Sequence, residues 1–333
     1  MICSLLILVA FLMLSRGLSV TSSRAMSRAI SISSAAADGF MRRIAENNDI
    51  GELDVDEMVA FTVNGVKYGF LSEEFAARCA KFDEVYVYAA AKKELSLVPS
   101  LKSVQARTEA VQSVNLVLKE EKLIGGWRDE MLPVVGAFSS EPVMLIERAA
   151  YSWFGLKGYG VHVNGFVRGD SGSIDKLWVA KRAKDKSTWP GMLDHIVAGG
   201  QPFGITPTDN VMKECGEEAG IPMELALNSV STGAVSYQSL DESGKLKRDS
   251  LFCFDLELPA SFTPHPVDGE VESFELYDIQ KVIDTIVEGG PCGYKPNCNL
   301  VVIDFLVRHG FITPESPRYL EIVGGLRDAT TCK

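Results

Sequence analysis

The stretch AGGQPFGITPTDNVMKECGEEAGIP, residues 198–222, decides how the chain is read, because its punctuation describes a loop running into a short helix. Thr206 is an N-cap residue type, Pro207 has the fixed φ that suits a first helical position, and Asp209 stands where it can complete a capping box. Gly220 is placed to end the helix in a left-handed conformation, so a helix over 207–219 is predicted. On it Val211, Met212, Cys215 and Ala219 share one arc and Glu214, Glu217 and Glu218 another, following the i, i+3, i+4 spacing. Like charges so placed cost about 0.2–0.5 kcal/mol per pair. A solvated acidic face is the commonplace explanation. The alternative is a hard divalent cation between the carboxylates, and Mg2+ favours a few carboxylates together with phosphate oxygens. Gly199 and Gly200, just upstream, let backbone approach such phosphates closely.

Working outward, the segment is flanked by strand patterns. GVHVNGFV at 160–167, LWVAKR at 177–182 and a third run at 195–198 precede it. Downstream, Phe252, Phe254, Leu256 and Leu258 alternate on one strand, which the polar turn at 241–245 joins to a strand at 230–239, and two terminal helices follow. Before residue 148 the pattern differs: short strand-like runs at 58–63 and 85–89 surround a helical stretch at 103–120, which reads as a small α+β unit. Three segments are therefore expected: a leader at 1–43, an N-terminal α+β domain at 44–150 and a second domain at 151–330. No internal repeat is visible.

The ensemble at 199–221 resembles a Nudix box, whose pattern is Gly, five residues, Glu, seven residues, then Arg-Glu-apolar-any-Glu-Glu-any-Gly-apolar. Gly199 takes the opening glycine, Glu214, Glu217 and Glu218 the metal-binding glutamates, and Gly220 with Ile221 the close. Cys215 falls on the apolar position. Ile205 stands where the first glutamate belongs and cannot ligate metal, while Lys213 replaces the arginine, keeping its charge but not its planar fork. The wording WPGMLDHIVAGG followed by KECGEEAGIP is similar to one branch of the superfamily, the Nudix proteins related to the partner domain of thiamin pyrophosphokinase. That branch accepts an apolar residue where Ile205 stands. It also carries a preceding domain with a Trp-Arg-x-Glu element, matched by Trp127, Arg128 and Glu130, and Glu147, Arg148 and the strand HVNGF fit as well.

The resemblance implies an α+β fold with a Nudix α/β/α sandwich and mixed sheet behind a small α+β domain. It implies a hydrolase of phosphorus-containing anhydrides that uses Mg2+ or Mn2+ held by Glu214, Glu217 and Glu218. The expected substrate is a small organic diphosphate: damaged thiamin diphosphate, or alternatively an 8-oxo-dGDP-type nucleoside diphosphate. Glu217 is expected to be catalytic through the metal. Glu270, in the loop VDGEVESF at 267–274, is chosen over Glu272 as the general base. Gly199, Gly200, Arg182 and Trp127 are the expected substrate contacts, with a core role the simpler reading of Trp127. Ile205 and Lys213 motivate a competing reading, a ligand-binding module without turnover. A diphosphate isomerase would need a reactive pocket cysteine, and Cys215 should face the core.

Charge narrows the partners. The net charge is −11, from 33 Lys and Arg against 44 Asp and Glu. Residues 1–43 hold five of the bases and one of the acids, which leaves 28 bases against 43 acids beyond, about −15. Such a body repels nucleic-acid backbones and anionic membranes, so a small molecule is the expected partner, with oligomeric state left open. The seven cysteines form no compact framework and the four histidines are scattered. Reduced thiols and no zinc are therefore expected, although Cys292 and Cys298 are close enough in sequence for a surface disulfide. Residues 2–14 are an apolar run too short to span a bilayer, followed by a Ser-, Ala- and Arg-rich, acid-poor stretch to residue 43. Together they read as a bipartite organellar leader, plastid ahead of mitochondrion. A secretory signal with a spacer, or a start at Met26, are the alternatives, and no stable membrane span is expected after the leader is removed. A fluorescent reporter fused to residues 1–50 is expected to enter an organelle, and its secretion would overturn that reading.

Overall fold

The computed structural model describes residues 30–241 and 244–327. Residues 51–156 build the N-terminal unit. Its sheet comprises β1 (Val59–Val63), β2 (Val66–Leu71), β3 (Tyr86–Ala89) and β4 (Glu94–Leu97) in the order β2-β1-β4-β3, with β1 and β4 parallel. Two helices, α2 (Glu73–Cys79) and α3 (Val104–Glu120), accompany it, each opened by a serine, Ser72 or Ser103, whose hydroxyl accepts from the first turn. A two-stranded ribbon, β5 (Met131–Val134) with β6 (Met144–Glu147), and a 3-10 turn at Arg148–Phe154 complete the unit. Phe61, Phe75 and Phe154 lie at its centre, edge to face.

The second unit is a mixed seven-stranded sheet. Its path is β11 (Val230–Leu240), β12 (Leu246–Glu257), β7 (Lys157–Arg168), β8 (Ile174–Arg182), β13 (Val271–Asp278). β12 and β7 run parallel, while β11-β12, β7-β8 and β8-β13 are antiparallel. Residues 195–198 do not form one strand. β9 (Leu193–Asp194) pairs with β8, β10 (Val197–Gly200) pairs with β7, and the chain crosses between them at His195, whose N–H is held by Asp194 Oδ1 at 2.9 Å.

Strand alternation divides this sheet into two buried faces. Val161, Val163, Phe254, Leu256 and Leu258 face α4 (Pro207–Ala219), which the short α5 (Met223–Ala226) follows. Phe166, Leu177, Val179, Val235, Leu251 and Cys253 face α6 (Ile279–Glu288), α7 (Pro296–Arg308) and α8 (Tyr319–Gly325). The result is the expected sandwich of helices about a mixed sheet. Three helices, rather than two, close the chain.

The larger correction lies at the other end. Residues 34–47, placed in and beside the leader by their composition, form a helix, α1 (Ser34–Asn47), capped by Ser33. It belongs to the second unit, not to a leader. Ala37, Phe40 and Ile44, spaced along one face, are buried with Ile32 in the core shared by α6, α7 and α8. Asn47 Nδ2 donates to Pro296 O at 2.8 Å. A leader ending at residue 43 would remove Phe40, so the folded chain begins by about Ile32. The apolar run at 2–14 lies outside the described residues, and none of the described helices is long and apolar enough to cross a membrane. The five described cysteines, Cys79, Cys215, Cys253, Cys292 and Cys298, are all free thiols.

Phe40→Ala is expected to cost about 3–5 kcal/mol, the usual range for deleting a fully buried phenyl ring. Urea denaturation of a chain beginning at residue 30 reads this, and a loss near zero would show that α1 is not part of the core.

Candidate active site

The loop and helix at 198–222 fold as their sequence dictates. Thr206 Oγ1 accepts from the Asp209 N–H at 3.1 Å and donates to Asp209 Oδ2 at 2.7 Å. Pro207 occupies the first turn, and Gly220 ends the helix at φ 61°, where any side chain would strike the His265 ring. Val211, Cys215 and Ala219 are buried against Val161, Val163, Ile196 and Val197. That apolar contact fixes the rotation of α4, and with it the direction of the carboxylates.

Glu218 is buried, and its Oε2 accepts a hydrogen bond from the Ala198 N–H at 2.9 Å, which ties α4 to β10. One turn earlier the Glu214 carboxyl lies against Gly199, where an added Cβ would stand 2.6 Å from Glu214 Cδ. Glycine at 199 is thus a steric requirement of the carboxylate. Glu217 is half exposed. Lys213 Nζ contacts it at 2.6 Å and reaches Glu214 Oε1 at 3.4 Å, so the lysine bridges two of the three acids. Glu270, at the entrance to β13, contacts Lys186 Nζ at 2.6 Å. Glu130, Glu147 and Arg148 come from the N-terminal unit. Arg148 pairs with Glu130 at 2.7 Å, and both side chains stand 3.8 Å from where a Cβ on Gly200 would be, so the Trp-Arg-x-Glu element reaches the glycine loop.

Burial is the leading electrostatic effect. It raises the Glu218 pKa well above the carboxylate range against the pull of the Ala198 N–H, and it raises Glu214 against the pull of Lys213. The charge of Glu270 pushes both further up. The donor set suits a hard divalent cation: carboxylate oxygens on one helix face, two of them held at a desolvation and repulsion cost that a cation relieves.

Three residues that the sequence singled out have the following contacts. Arg182 is committed elsewhere: its guanidinium donates to Asp194 Oδ2 at 2.8 Å and to the carbonyls of Trp189 and Thr188, both at 3.1 Å, so its donors brace a loop instead of pointing to a phosphate. Trp127 packs against the N-terminal core, gives its indole N–H to Asp129 at 2.8 Å and lies under Lys119. Ile205, partly exposed, contributes through its carbonyl, which accepts from Gln201 Nε2 at 2.8 Å. Asn210 Nδ2 donates to Gly200 O, also at 2.8 Å, so the loop is folded back onto α4.

An aromatic cluster escaped the sequence reading. Phe138, Tyr159 and Phe252 meet beside the glycine loop, with Phe138 4.9 Å from Tyr159 and 4.5 Å from Phe252 between ring centroids. Tyr159 alternates with Val161 on the α4 face, and its carbonyl accepts from the Gln201 N–H at 2.9 Å. Phe252 was visible as part of an alternating strand. Phe138 sits in a loop of the other unit and carries no local signal. Cys215 is buried, and burial pushes its thiol pKa up to about 12, which leaves no reactive thiolate on this helix.

Residues 39–158 match a family described as Domain of unknown function (DUF4743). The chain is 41% identical to Nudix hydrolase 20, chloroplastic, of Arabidopsis thaliana over 87% of its own length and 78% of that protein's. It is 36% identical to an uncharacterized protein of Saccharomyces cerevisiae, over 79% and 80%. An isopentenyl-diphosphate Delta-isomerase of Corynebacterium glutamicum is 27% identical over 36% of this chain and 64% of its own. Among solved structures, the NUDIX domain of Shewanella oneidensis NrtR complexed with ADP ribose aligns with a TM-score of 0.35 and 13% identity, over 49% of this chain and 100% of that one.

With metal removed by chelation, stability is expected to fall as pH rises from the ordinary carboxylate range through the raised pKa of Glu218. Over that interval the folded state binds more protons than the unfolded chain. Glu218→Gln should flatten the fall, leaving the smaller part due to Glu214. Urea midpoints measured across pH in both proteins check this, and identical slopes would show that Glu218 is not strained by its burial.

Proposed function

The chain belongs to the Nudix hydrolases, which are hydrolases of pyrophosphate bonds that depend on a divalent metal, and from that premise we propose that its substrate is a small ring-bearing diphosphate, damaged thiamin diphosphate foremost. The observation that carries the reading is the convergence of Glu214, Glu217, Glu218 and Glu270 beside Gly199 and Gly200, next to an aromatic cluster. Glu214, Glu217 and Glu218 would hold Mg2+ or Mn2+. When bound, that cation neutralises the diphosphate and lowers the pKa of a water for attack at phosphorus.

The chain's own residues supply the rest. Glu270, oriented by Lys186, accepts the proton of the attacking water. Gly200, where an added Cβ would meet nothing nearer than 3.8 Å, leaves room for the diphosphate to approach backbone, whereas at Gly199 that space holds the Glu214 carboxyl. Arg148, held by Glu130, is the cationic group nearest Gly200, a place that the sequence reading gave to Arg182. Phe138, Tyr159 and Phe252 offer ring faces on which a planar heterocycle stacks, so recognition of the ring draws on both units. The acidic surface contributes no general attraction for an anion, and affinity rests on these local contacts. The plastid is the proposed compartment, supported by two chloroplastic relatives and by the composition of the leader.

Phosphate release from a panel of diphosphates with Mg2+ tests the proposal. Oxidised thiamin diphosphates are expected to give a higher kcat/KM than intact thiamin diphosphate, Glu270→Gln to lower kcat by roughly 10²–10⁴-fold as loss of a general base does, and Glu217→Gln to abolish turnover in a folded protein. Far better turnover of 8-oxo-dGDP would replace the substrate and keep the reaction. No turnover of any diphosphate would favour the ligand-binding reading that Ile205 motivates.

A further inference from the structure

On the sheet face away from α4, four side chains with metal-binding atoms come together although 136 positions separate the first from the last, His162 from Cys298. His162 is on β7, Asp194 ends β9, His195 begins the crossing to β10, and Cys298 is in the first turn of α7. All four are buried, and one donor atom of each lies within 4.8 Å of all the others. The two Nδ1 atoms of His162 and His195 are 3.0 Å apart. Asp194 Oδ1 is 2.9 Å from Cys298 Sγ and 3.8 Å from His195 Nδ1.

One Nδ1 must carry the proton shared between the two rings, so in either tautomer the other Nδ1 is an acceptor within the cluster. Burial, the leading effect, lowers the pKa of both imidazoles, and histidine ligates in its neutral form. Asp194 is braced from behind: its Oδ2 takes Arg182 Nη1 at 2.8 Å and Lys295 Nζ at 3.7 Å, while Oδ1 faces the cluster. These two cations are the charged groups that a metal would have to tolerate. Against them stand the charges of Asp194 and of a Cys298 thiolate, two negatives that offset a divalent ion. A carboxylate clamped by outer hydrogen bonds is the usual support of a metal ligand.

We propose that His162, His195, Asp194 and Cys298 form a structural zinc site, separate from the carboxylate site on α4. Two nitrogens, one sulfur and one oxygen are a borderline-soft, four-donor set of the kind that selects Zn2+, whereas the oxygen-only α4 site suits Mg2+. The four ligands are buried, which leaves no position for a substrate or water and fits a closed structural site. On binding, Cys298 gives its thiol proton to solvent and coordinates as thiolate. Both imidazoles stay neutral and nothing is oxidised or reduced. The ion would join β7, the β9–β10 crossing and α7, and so fix the backbone three residues ahead of Ala198, whose N–H holds Glu218. Two of the four histidines whose scatter argued against zinc in the sequence, His162 and His195, are adjacent in the fold.

Full-length protein, stripped of metal and titrated with Co2+, tests the site through a signal that the carboxylate site cannot give. A thiolate-to-cobalt charge-transfer band with tetrahedral ligand-field bands should saturate at one equivalent and be displaced by Zn2+. The band should persist in Glu217→Gln and in Cys292→Ser, and be lost in Cys298→Ser. X-ray absorption of the zinc-loaded wild type, which needs no variant to fold, should show one sulfur among mainly nitrogen and oxygen neighbours. Absence of the band and of the sulfur in the wild type would overturn the proposal, as would a band that survives Cys298→Ser or vanishes in Cys292→Ser.

Discussion

A buried carboxylate holding a backbone N–H, Glu218 to Ala198, is the contact on which the arrangement of this protein turns. Burying an ionisable oxygen is costly, and the cost is tolerated here because the hydrogen bond fixes two elements with one constraint. It locks α4 onto β10, and β10 carries the glycines against which Glu214 sits. The apolar face of α4 sets its rotation and the Glu218 bond its height. Glu214 and Glu217 then lie on one side of α4, where Lys213 bridges them.

The mixed sheet keeps two kinds of chemistry apart. One face carries α4 and its hard oxygen donors beside an aromatic cluster. The other carries α1, α6, α7 and α8 over an apolar core in which the His and Cys cluster is embedded. β9 and β10 are the link, because the two-residue crossing between them has Asp194 and His195 on one side and Ala198 and Gly199 on the other. The N-terminal unit is more than an appendage: the Arg148–Glu130 pair and Phe138 place parts of it at the glycine loop.

α1 shows where composition misleads. It continues the Ser-, Ala- and Arg-rich stretch that precedes it, and an amphipathic Arg-bearing helix is also what transit peptides form. The difference is the spacing of Ala37, Phe40 and Ile44, which marks a core-facing stripe only once a surface exists to receive it. Arg182 illustrates the same limit for charge. A base at a strand end can serve a phosphate or a neighbouring aspartate, and the choice depends on Asp194, which the fold delivers to within 2.8 Å.

By itself the sequence determined the helix at 207–219 with both its caps, the acidic face of that helix, the β11–β12 hairpin and the α+β character of the chain. All of these follow from local rules: capping chemistry, helical and strand periodicity, and turn residues act over a few positions. Tertiary structure alone decided that α1 joins the core, that only the end of the run at 195–198 enters a strand, that Arg182 braces Asp194, that Phe138 meets Tyr159 and Phe252, and that His162, Asp194, His195 and Cys298 converge. Those outcomes depend on which surfaces become neighbours when the sheet closes over its helices, and long-range burial, not any local pattern, selects the neighbours.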